Sequence, residues 1–600
     1  MDITHYSVEE LESLAQKIRE RILETVSKNG GHLSSTLGAT DLIVAMHKVF
    51  DASRDPFIFD VSHQAYAHKL LTDRWDTFDT LRTFGGICGY TKPSESSYDY
   101  YVAGHSSTSI SLAVGAAKAI ALKGEDRIPV AFIGDGSMSA GMVYEALNEL
   151  GDRKYPVVII LNDNEMSIAK PIGAISKLLS QTMASPFYQK FKSKVEKIVD
   201  MMPEGTSYMA KRVEESFKLI TPGILFEEMG IEYIGPVNGH DIAALIETME
   251  VAKSLGKPVI IHAQTTKGKG YEIAEGTKEH WHGVGAFDPE TGKAYKKSSA
   301  KAATQIFSET LLSMAEEDEK IVGVTAAMPS GTGMSAVMER FPDRFWDVAI
   351  AEQHAVTSMG PLAKEGFKPF CALYSTFLQR GYDQVIHDIC LMDLGVAFAI
   401  DRAGIVGEDG ETHQGAFDIS YLRAIPNMTL FAPYNETTMK HAMAFAKVYE
   451  HPCAFRYPRG AFIAEDRESP AYELGRSLLL QEGEGEVLLI GYGNGVGRAL
   501  KTAALLDSEP AILDLRFVKP LDEAMLKLLS KQYCRWYVFS DSARLGGVGS
   551  AILEFLSEAD IEGVSLTSFE YDDAFITHGN TKLVEESLGL LPEQLAQRIM

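Results

Sequence analysis

The stretch IPVAFIGDGSMSAGMVYEALNELGDRKYPVVIILNDNEMSI, residues 128–168, decides how this chain is read. Two apolar runs, IPVAFIG and YPVVIIL, flank a segment of helical periodicity, which predicts parallel strands joined by a helix. The first run ends in Asp135 between Gly134 and Gly136, and the second in Asn162, Asp163 and Asn164. In an open parallel sheet, ligands gather outside the carboxyl ends of the strands. The two glycines let the backbone turn tightly and approach a ligand with no Cβ in the way. Asp135 and Asn164 then offer two oxygens to a hard divalent cation, and a backbone carbonyl near Met166 offers a third. Magnesium completes such a shell with phosphate and water. Gly136 and Ser137 are expected to start the intervening helix, where free N–H groups favour an anion. An ordinary turn followed by an Asx-type cap would use the same residues.

The alternation continues through KPVIIHA, KIVGVTA, WDVAI, VAFAI and TLFAP, then EVLLIGYG, PAILDL and WYVFSD. Short, continuously apolar strands between helices predict an α/β architecture whose parallel sheets are buried on both faces. At 600 residues the chain exceeds the size at which one core stops growing, so about three domains are expected. The polar segment FDPETGKAYKKSSA, residues 287–300, reads as a linker, and a second break falls near EDRESPAYELGRS, residues 465–477. The expected domains are therefore 1–290, 300–468 and 476–600.

The formal net charge of -25 is spread along the chain. Such a surface repels nucleic acid and anionic membranes, so neither is expected as a partner. The five cysteines occur singly, with no CxxC pair, which suits a reducing compartment and supports neither a disulfide framework nor a zinc site. Ser7 and Glu10 read as a capping box on an amphipathic first helix, not as a signal peptide. No apolar run approaches the roughly 20 residues a membrane span requires, and a cytoplasmic location is expected. GYGNGVG after EVLLI fails the GxGxxG spacing and reads as a tight strand-to-helix turn, not a nicotinamide site.

The GDG motif with its downstream strand-end Asn resembles the thiamine-diphosphate signature. NGGHLSSTLGATDL, DVSHQAYAHKLLT, GHSSTSIS, LNDNEMSI, TKGKGYE, AAMPSGTGM, DVAIAEQHAVT, YSTFLQRGYDQVIHD, DRAGIVGEDGETHQGAFD and RYPRG closely resemble the 1-deoxy-D-xylulose-5-phosphate synthase family. They run from about residue 28 to 460, and the last block resembles the family more loosely. The resemblance implies transketolase-like domains, each a mostly parallel sheet flanked by helices. The first would bind the diphosphate and Mg2+, the second the pyrimidine, and the third would support a homodimer. The family's active site lies between the first and second domains of one chain.

The resemblance also assigns residues. Thiamine diphosphate generates its own base only when a protonated carboxyl faces its pyrimidine N1'. Glu352 in AIAEQHAV follows an apolar run, where desolvation would raise its pKa; a helix-start Glu would look the same, and the resemblance gives it this role. The metal set implied is Asp135, Asn164 and Met166. Cofactor contacts fall on His63, Gly104, His105, Ser106, Gly136, Ser137, Asn164, Lys267 and Tyr271, with Phe377 stacking on the pyrimidine and Ile168 on the cofactor's apolar side. His32, His63 and His413 sit in Gly-rich or polar loops, and imidazole suits proton transfer near neutrality. By resemblance they line the substrate channel, with His413 near the acceptor aldehyde. His47, His68 and His354 read as structural. Arg380, Arg402 and Arg459, with Tyr374 and Asp409, match the positions that hold the acceptor, and guanidinium forks suit phosphate. Any one of these arginines alone reads equally as a surface ion pair.

The implied enzyme is a transferase in isoprenoid, thiamine and pyridoxal precursor synthesis. It decarboxylates pyruvate and condenses the two-carbon unit with D-glyceraldehyde 3-phosphate, giving 1-deoxy-D-xylulose 5-phosphate and carbon dioxide. The alternatives are transketolase-like ketol transfer, dehydrogenase-type decarboxylation, and a non-catalytic cofactor-binding scaffold. YSTFLQRGYDQ with DRAGIVGEDGETHQG resembles the synthase, and a dead scaffold would be expected to lack Glu352 or Asp135. Three departures stand out: Ser62 where the family usually has Gly, Tyr100 and Tyr101 where smaller residues are common, and VFSDSARLGGVGS in place of an acidic patch. The first two are expected to alter packing around the cofactor. The loop KPIGAISKLLSQTMASPFYQKF after the metal-site strand leads into a Lys-rich and Met-rich stretch that is expected to form a mobile cover.

Overall fold

The computed structural model describes residues 1–164, 223–276, 281–295 and 300–600. Met166, Ile168 and the expected cover segment lie outside the described residues. The chain divides into two compact units, Met1–Arg82 with Gly86–Lys296, and Thr83–Gly85 with Lys297–Met600.

The first unit is built on β1 (Gly31–His32), β2 (Phe57–Phe59), β3 (Val130–Gly134), β4 (Val158–Asp163), β5 (Glu232–Asn238), β6 (Val259–Gln264) and β7 (Gly283–Val284). Strands β2 to β6 form one sheet in the order β2-β3-β4-β6-β5, all neighbours parallel. Alternate residues explain the unbroken apolar runs. Val130, Phe132, Val158, Ile160, Val259 and Ile261 enter one core, while Ala131, Ile133, Ile159, Leu161 and Ile260 enter the core on the opposite face. Both faces are covered by helices, so the strand interiors are apolar apart from His262 in β6, whose two ring nitrogens are both partnered. Each fully buried Val, Ile, Leu or Phe contributes about 1.5–3 kcal/mol; the polar residues therefore collect at the carboxyl edge. The first helix, Val8–Asn29, begins with the expected capping box: the Glu10 N–H donates to Ser7 Oγ at 3.3 Å and the Ser7 N–H to Glu10 Oε2 at 2.7 Å.

One local expectation is corrected. Gly136 and Ser137 do not open an α-helix: Asp135–Ser139 is a 3-10 turn, and the helix runs Gly141–Arg153. The Ser137 backbone is instead tied back to an earlier loop, its carbonyl accepting from Ser107 Oγ at 2.8 Å.

The second unit contains β8 (Ile321–Thr325), β9 (Phe345–Asp347), β10 (Lys368–Tyr374), β11 (Ala397–Asp401), β12 (Thr429–Phe431), β13 (Cys453–Arg456), β14 (Leu478–Gln481), β15 (Val487–Gly491), β16 (Ala511–Asp514), β17 (Phe517–Lys519), β18 (Arg535–Ala543) and β19 (Ser565–Tyr571). They form two sheets, β17-β12-β13-β11-β10-β8-β9 and β14-β16-β15-β18-β19. Each is parallel apart from one antiparallel edge pair, β12 with β17 and β14 with β16. Thus β17, from the last block of sequence, closes the sheet of the middle block. Lys519 Nζ anchors it, donating to the Arg423 carbonyl at 2.9 Å and to the Ile425 carbonyl. The run WDVAI is a strand only as far as Asp347. Oδ1 of Asp347 accepts from the N–H groups of Ala327 and Ala349 at 2.7 and 2.9 Å, holding Ala349 in a left-handed turn at φ 60 before the helix Glu352–Lys364. GYGNGVG is a strand-to-helix turn into the helix Asn494–Ala503.

Candidate active site

In the first unit, the register pairs Gly134 with Asn162, so Asp135 and Asn164 leave the same end of the sheet. The three polar residues that end β4 have different fates. Asn162 donates to Gln64 Oε1 at 2.7 Å and accepts from Thr265 Oγ1 at 2.6 Å. Asp163 Oδ2 lies 2.9 Å from His262 Nε2, whose Nδ1 meets Tyr233 Oη at 2.6 Å. Among the described residues Asn164 Oδ1 is buried with no hydrogen-bond partner. Buried polar oxygens are nearly always satisfied, so this orphan marks an atom aimed at something else. Asp135 is buried, and its pKa is pushed up to about 7 by burial first and then by the negative charge of Asp163, with Lys267 pulling it down. A bound cation reverses that logic by favouring the charged carboxylate. One carboxylate and one unpartnered amide oxygen at adjacent strand ends fit a magnesium ion.

The loops around this edge are pinned by Asp60, which follows β2. Its carboxylate accepts from the Ser107 N–H at 2.7 Å and the Ser109 N–H at 3.1 Å, with Ser107 at φ 71. That fixes Gly104, His105 and Ser106 ahead of the helix Ser109–Lys123. Lys267 follows β6, and Gly38 admits its loop: a Cβ there would lie 2.7 Å from the Thr266 carbonyl. Tyr271 is placed in an aromatic group with Trp281 and Phe287, and its hydroxyl donates to the Pro289 carbonyl at 2.8 Å. Ser62 stands at φ 66, where glycine is the easy choice, and its hydroxyl accepts from the Thr91 N–H at 2.9 Å. Tyr100 and Tyr101 are exposed, so within this unit their bulk does not press on these loops.

His32 and His63 come together, with ring centroids 5.4 Å apart, and a third histidine joins them. His282 lies 5.6 Å from His32 and 5.1 Å from His63. It is brought there by the short ladder of β1 and β7, in which His32 pairs with Gly283. Burial pushes the pKa of His63 and His282 well below the imidazole range, and the neighbouring histidines and Lys267 push them further. These two imidazoles are neutral at physiological pH.

In the second unit Glu352 opens its helix, buried, with Oε2 unpartnered. Burial raises its pKa, against an opposing pull from Arg380, whose Nη1 lies 3.9 Å away. Burial thus favours the protonated carboxyl, the form that can donate. Phe377 stacks on Tyr374 at 5.3 Å and meets His413 edge-on at 5.6 Å; half-buried, it is not a core residue. The Arg402 guanidinium lies 4.4 Å over the Tyr374 ring. Asp409 precedes the short turn Gly410–Thr412, and Thr412 Oγ1 meets His413 Nδ1 at 2.8 Å. Arg459 is exposed, donating to the Val406 carbonyl and pairing with Glu408 at 3.2 Å.

The second unit therefore gathers Glu352 with Arg380, and Tyr374, Phe377, Arg402 and His413 as another cluster. In the first, Asp135 and Asn164 share one strand edge, and His32, His63 and His282 form a histidine group. Sequence reading missed His282 and Asp60. The signal for His282 was there in HWHGVG, a histidine beside glycines like those of GGHLSS.

Three comparisons bear on the chain. Residues 1–265 match the family described as 1-deoxy-D-xylulose-5-phosphate synthase, 299–463 the transketolase pyrimidine-binding domain, and 475–595 the transketolase C-terminal domain. The chain is 70% identical over 600 residues to the 1-deoxy-D-xylulose-5-phosphate synthase of Nitratiruptor sp., covering 100% of this chain and 99% of that one. It is 70% identical over 602 residues to the protein of the same name from Sulfurimonas denitrificans, again 100% and 99%. The Helicobacter pylori counterpart is 61% identical over 606 residues, 100% and 98%. Among solved structures, the transketolase of Campylobacter jejuni is 19% identical, with 99% of each chain covered and a TM-score of 0.43.

Proposed function

The chain belongs to the 1-deoxy-D-xylulose-5-phosphate synthase family, and from that premise we propose the roles its own residues play. As a member it is a thiamine-diphosphate-dependent transferase that decarboxylates pyruvate and joins the two-carbon unit to D-glyceraldehyde 3-phosphate, early in isoprenoid precursor synthesis. When bound, thiamine diphosphate supplies a carbon nucleophile and a sink for the electrons that decarboxylation releases.

Glu352 holds a proton at Oε2 for the pyrimidine nitrogen. The observation that carries this role is a buried carboxyl with a raised pKa and an oxygen that no hydrogen bond among the described residues satisfies. Asp135 and Asn164 Oδ1 hold Mg2+, together with a carbonyl at Met166, and Lys267, Gly136 and Ser137 meet the diphosphate. His63, His105 and Ser106 flank it, with Gly104 allowing the approach, Tyr271 bracing the loop and Phe377 stacking on the pyrimidine. His32, His63, His282 and His413 orient substrate hydroxyls and carbonyls; being neutral, His63 and His282 can accept as well as donate. Arg402 and Arg459, with Arg380, Tyr374 and Asp409, recognise the phosphorylated acceptor. Division into domains at 1–290, 300–468 and 476–600, a homodimeric assembly and a cytoplasmic location complete the proposal. Five unpaired cysteines and the lack of a membrane-length apolar helix among the described residues are consistent with that location.

The test is carbon dioxide release from carboxyl-labelled pyruvate, with and without D-glyceraldehyde 3-phosphate. Strong dependence on the aldehyde, with stoichiometric product, supports the reading. Release at the same rate without acceptor contradicts it.

A further inference from the structure

The Arg402 guanidinium is held by an acid, a hydroxyl and an aromatic ring. The backbone of Arg402 stands at φ 60, an uncommon region for a residue with a side chain. Two contacts stabilise that turn: Asp401 Oδ1 accepts from the Arg402 backbone N–H at 2.6 Å and pairs with Nη1 at 2.9 Å. Thr304, from the first turn of the helix Ala303–Glu317, closes the figure. Its hydroxyl accepts from Arg402 Nη1 at 3.0 Å and donates to Asp401 Oδ2 at 2.7 Å. A threonine hydroxyl carries one proton and two lone pairs, so both bonds form at once. The guanidinium face rests on Tyr374 at 4.4 Å, which adds a cation–π contact.

We infer that Asp401 and Thr304 are positioning residues that hold the Arg402 guanidinium for the acceptor's phosphate. The inference rests on the proposed role of Arg402. Among the described residues the side-chain hydrogen bonds of Arg402 use Nη1 alone, so the Nε–Nη2 edge keeps two parallel donors, the fork that binds a phosphate bidentately. Asp401 is fully buried, and a carboxylate there persists only when paired; the clamp meets that need and fixes the direction of the fork together. The same helical turn reaches the other arginine-bearing loop, for the Ala303 N–H donates to the Gly460 carbonyl at 2.7 Å. One turn thus braces the segments carrying both Arg402 and Arg459.

The experiment compares D-glyceraldehyde 3-phosphate with unphosphorylated D-glyceraldehyde as acceptor for Thr304→Val, Thr304→Ala, Thr304→Ser and Arg402→Ala. Removing the hydroxyl should raise the KM for the phosphorylated aldehyde about tenfold, the scale of one hydrogen bond to a charged group. The KM for pyruvate and the kcat/KM for D-glyceraldehyde should stay unchanged, and Thr304→Ser should restore the parent values. Thr304→Ala keeps the test open if the valine methyls disturb folding. Equal losses with both aldehydes, no loss with either, or failure of serine to rescue would overturn the clamp. If Arg402→Ala itself leaves the preference for the phosphorylated aldehyde intact, the proposed role of Arg402 fails and the clamp with it. If Arg402→Ala erases that preference while the Thr304 variants keep it, only the clamp is wrong.

Discussion

Nη1 of Arg380 stands 3.9 Å from Oε2 of Glu352, beyond hydrogen-bond reach, and among the described residues that oxygen makes no hydrogen bond. Burial raises the Glu352 pKa above its usual 4.5 and the arginine pulls it down. Because the folded value exceeds the unfolded one, the native state keeps a proton that the unfolded chain has lost. The stability linked to that proton is complete below the unfolded value and is lost as pH rises through the folded one.

Glu352→Gln keeps the shape and removes the cost of ionising a buried group. The cofactor-free variant should melt above the parent near pH 8, and the difference should shrink toward zero as pH falls to about 4. Differential scanning fluorimetry across that range checks it. A variant that melts below the parent at every pH would mean the carboxylate is stabilised in the fold by a partner.

Asn164→Ala removes the unpartnered Oδ1 and leaves the bonds of Asn162 and Asp163 intact. Cofactor affinity in the presence of Mg2+, measured by calorimetry, should weaken by at least about tenfold, since losing one oxygen ligand costs more than 1.4 kcal/mol in affinity. Chelating the metal should weaken the parent to the same level and change the variant little. Unaltered affinity would remove Asn164 from the metal set.

His282→Asn tests the histidine that only the fold brought to view. Turnover should fall by roughly 100-fold, in the range of a lost proton-transfer or hydrogen-bonding group, with cofactor affinity retained. Burial and neighbouring charge lower the pKa of His63 and His282 below the usual 6.5, so their contribution should persist below that pH and not titrate away there. An acid limb of kcat centred at 6.5 that disappears in His282→Asn would contradict the neutral cluster.

Arg459→Ala should raise the KM for D-glyceraldehyde 3-phosphate more than that for pyruvate, because its ion pair with Glu408 is exposed and contributes little on its own. Steady-state kinetics with each substrate varied would show it. Equal effects on both substrates would argue that Arg459 serves only the loop at Val406.

Much of this was legible in the chain because the sheet that carries Asp135 and Asn164 is buried on both faces. When strand interiors are apolar, a carboxylate or amide at the end of a run stands out, as Asp135 and Asn164 did. What occupies Asn162 and Asp163 and leaves Asn164 over was not legible, since it depends on Gln64, Thr265 and His262, all distant in sequence. HWHGVG marks His282 as a loop histidine but not its neighbours: a two-residue ladder, too short to leave a periodic signal, sets it beside His32. The apolar run WDVAI overstated β9 because the turn at Ala349 is held by the Asp347 side chain, not by any break in hydropathy. Likewise, nothing in local composition announces that Phe517–Lys519 will edge the sheet of an earlier block.

Calorimetry of thiamine diphosphate binding and assay of product formation on one preparation of Glu352→Ala test the central role most directly. The proton donor to the pyrimidine is distinct from the groups that hold metal and diphosphate. Cofactor should therefore still bind within about tenfold of the parent while product falls by at least 100-fold, the range of a lost proton donor. Undiminished turnover in a variant shown to carry bound cofactor would contradict it.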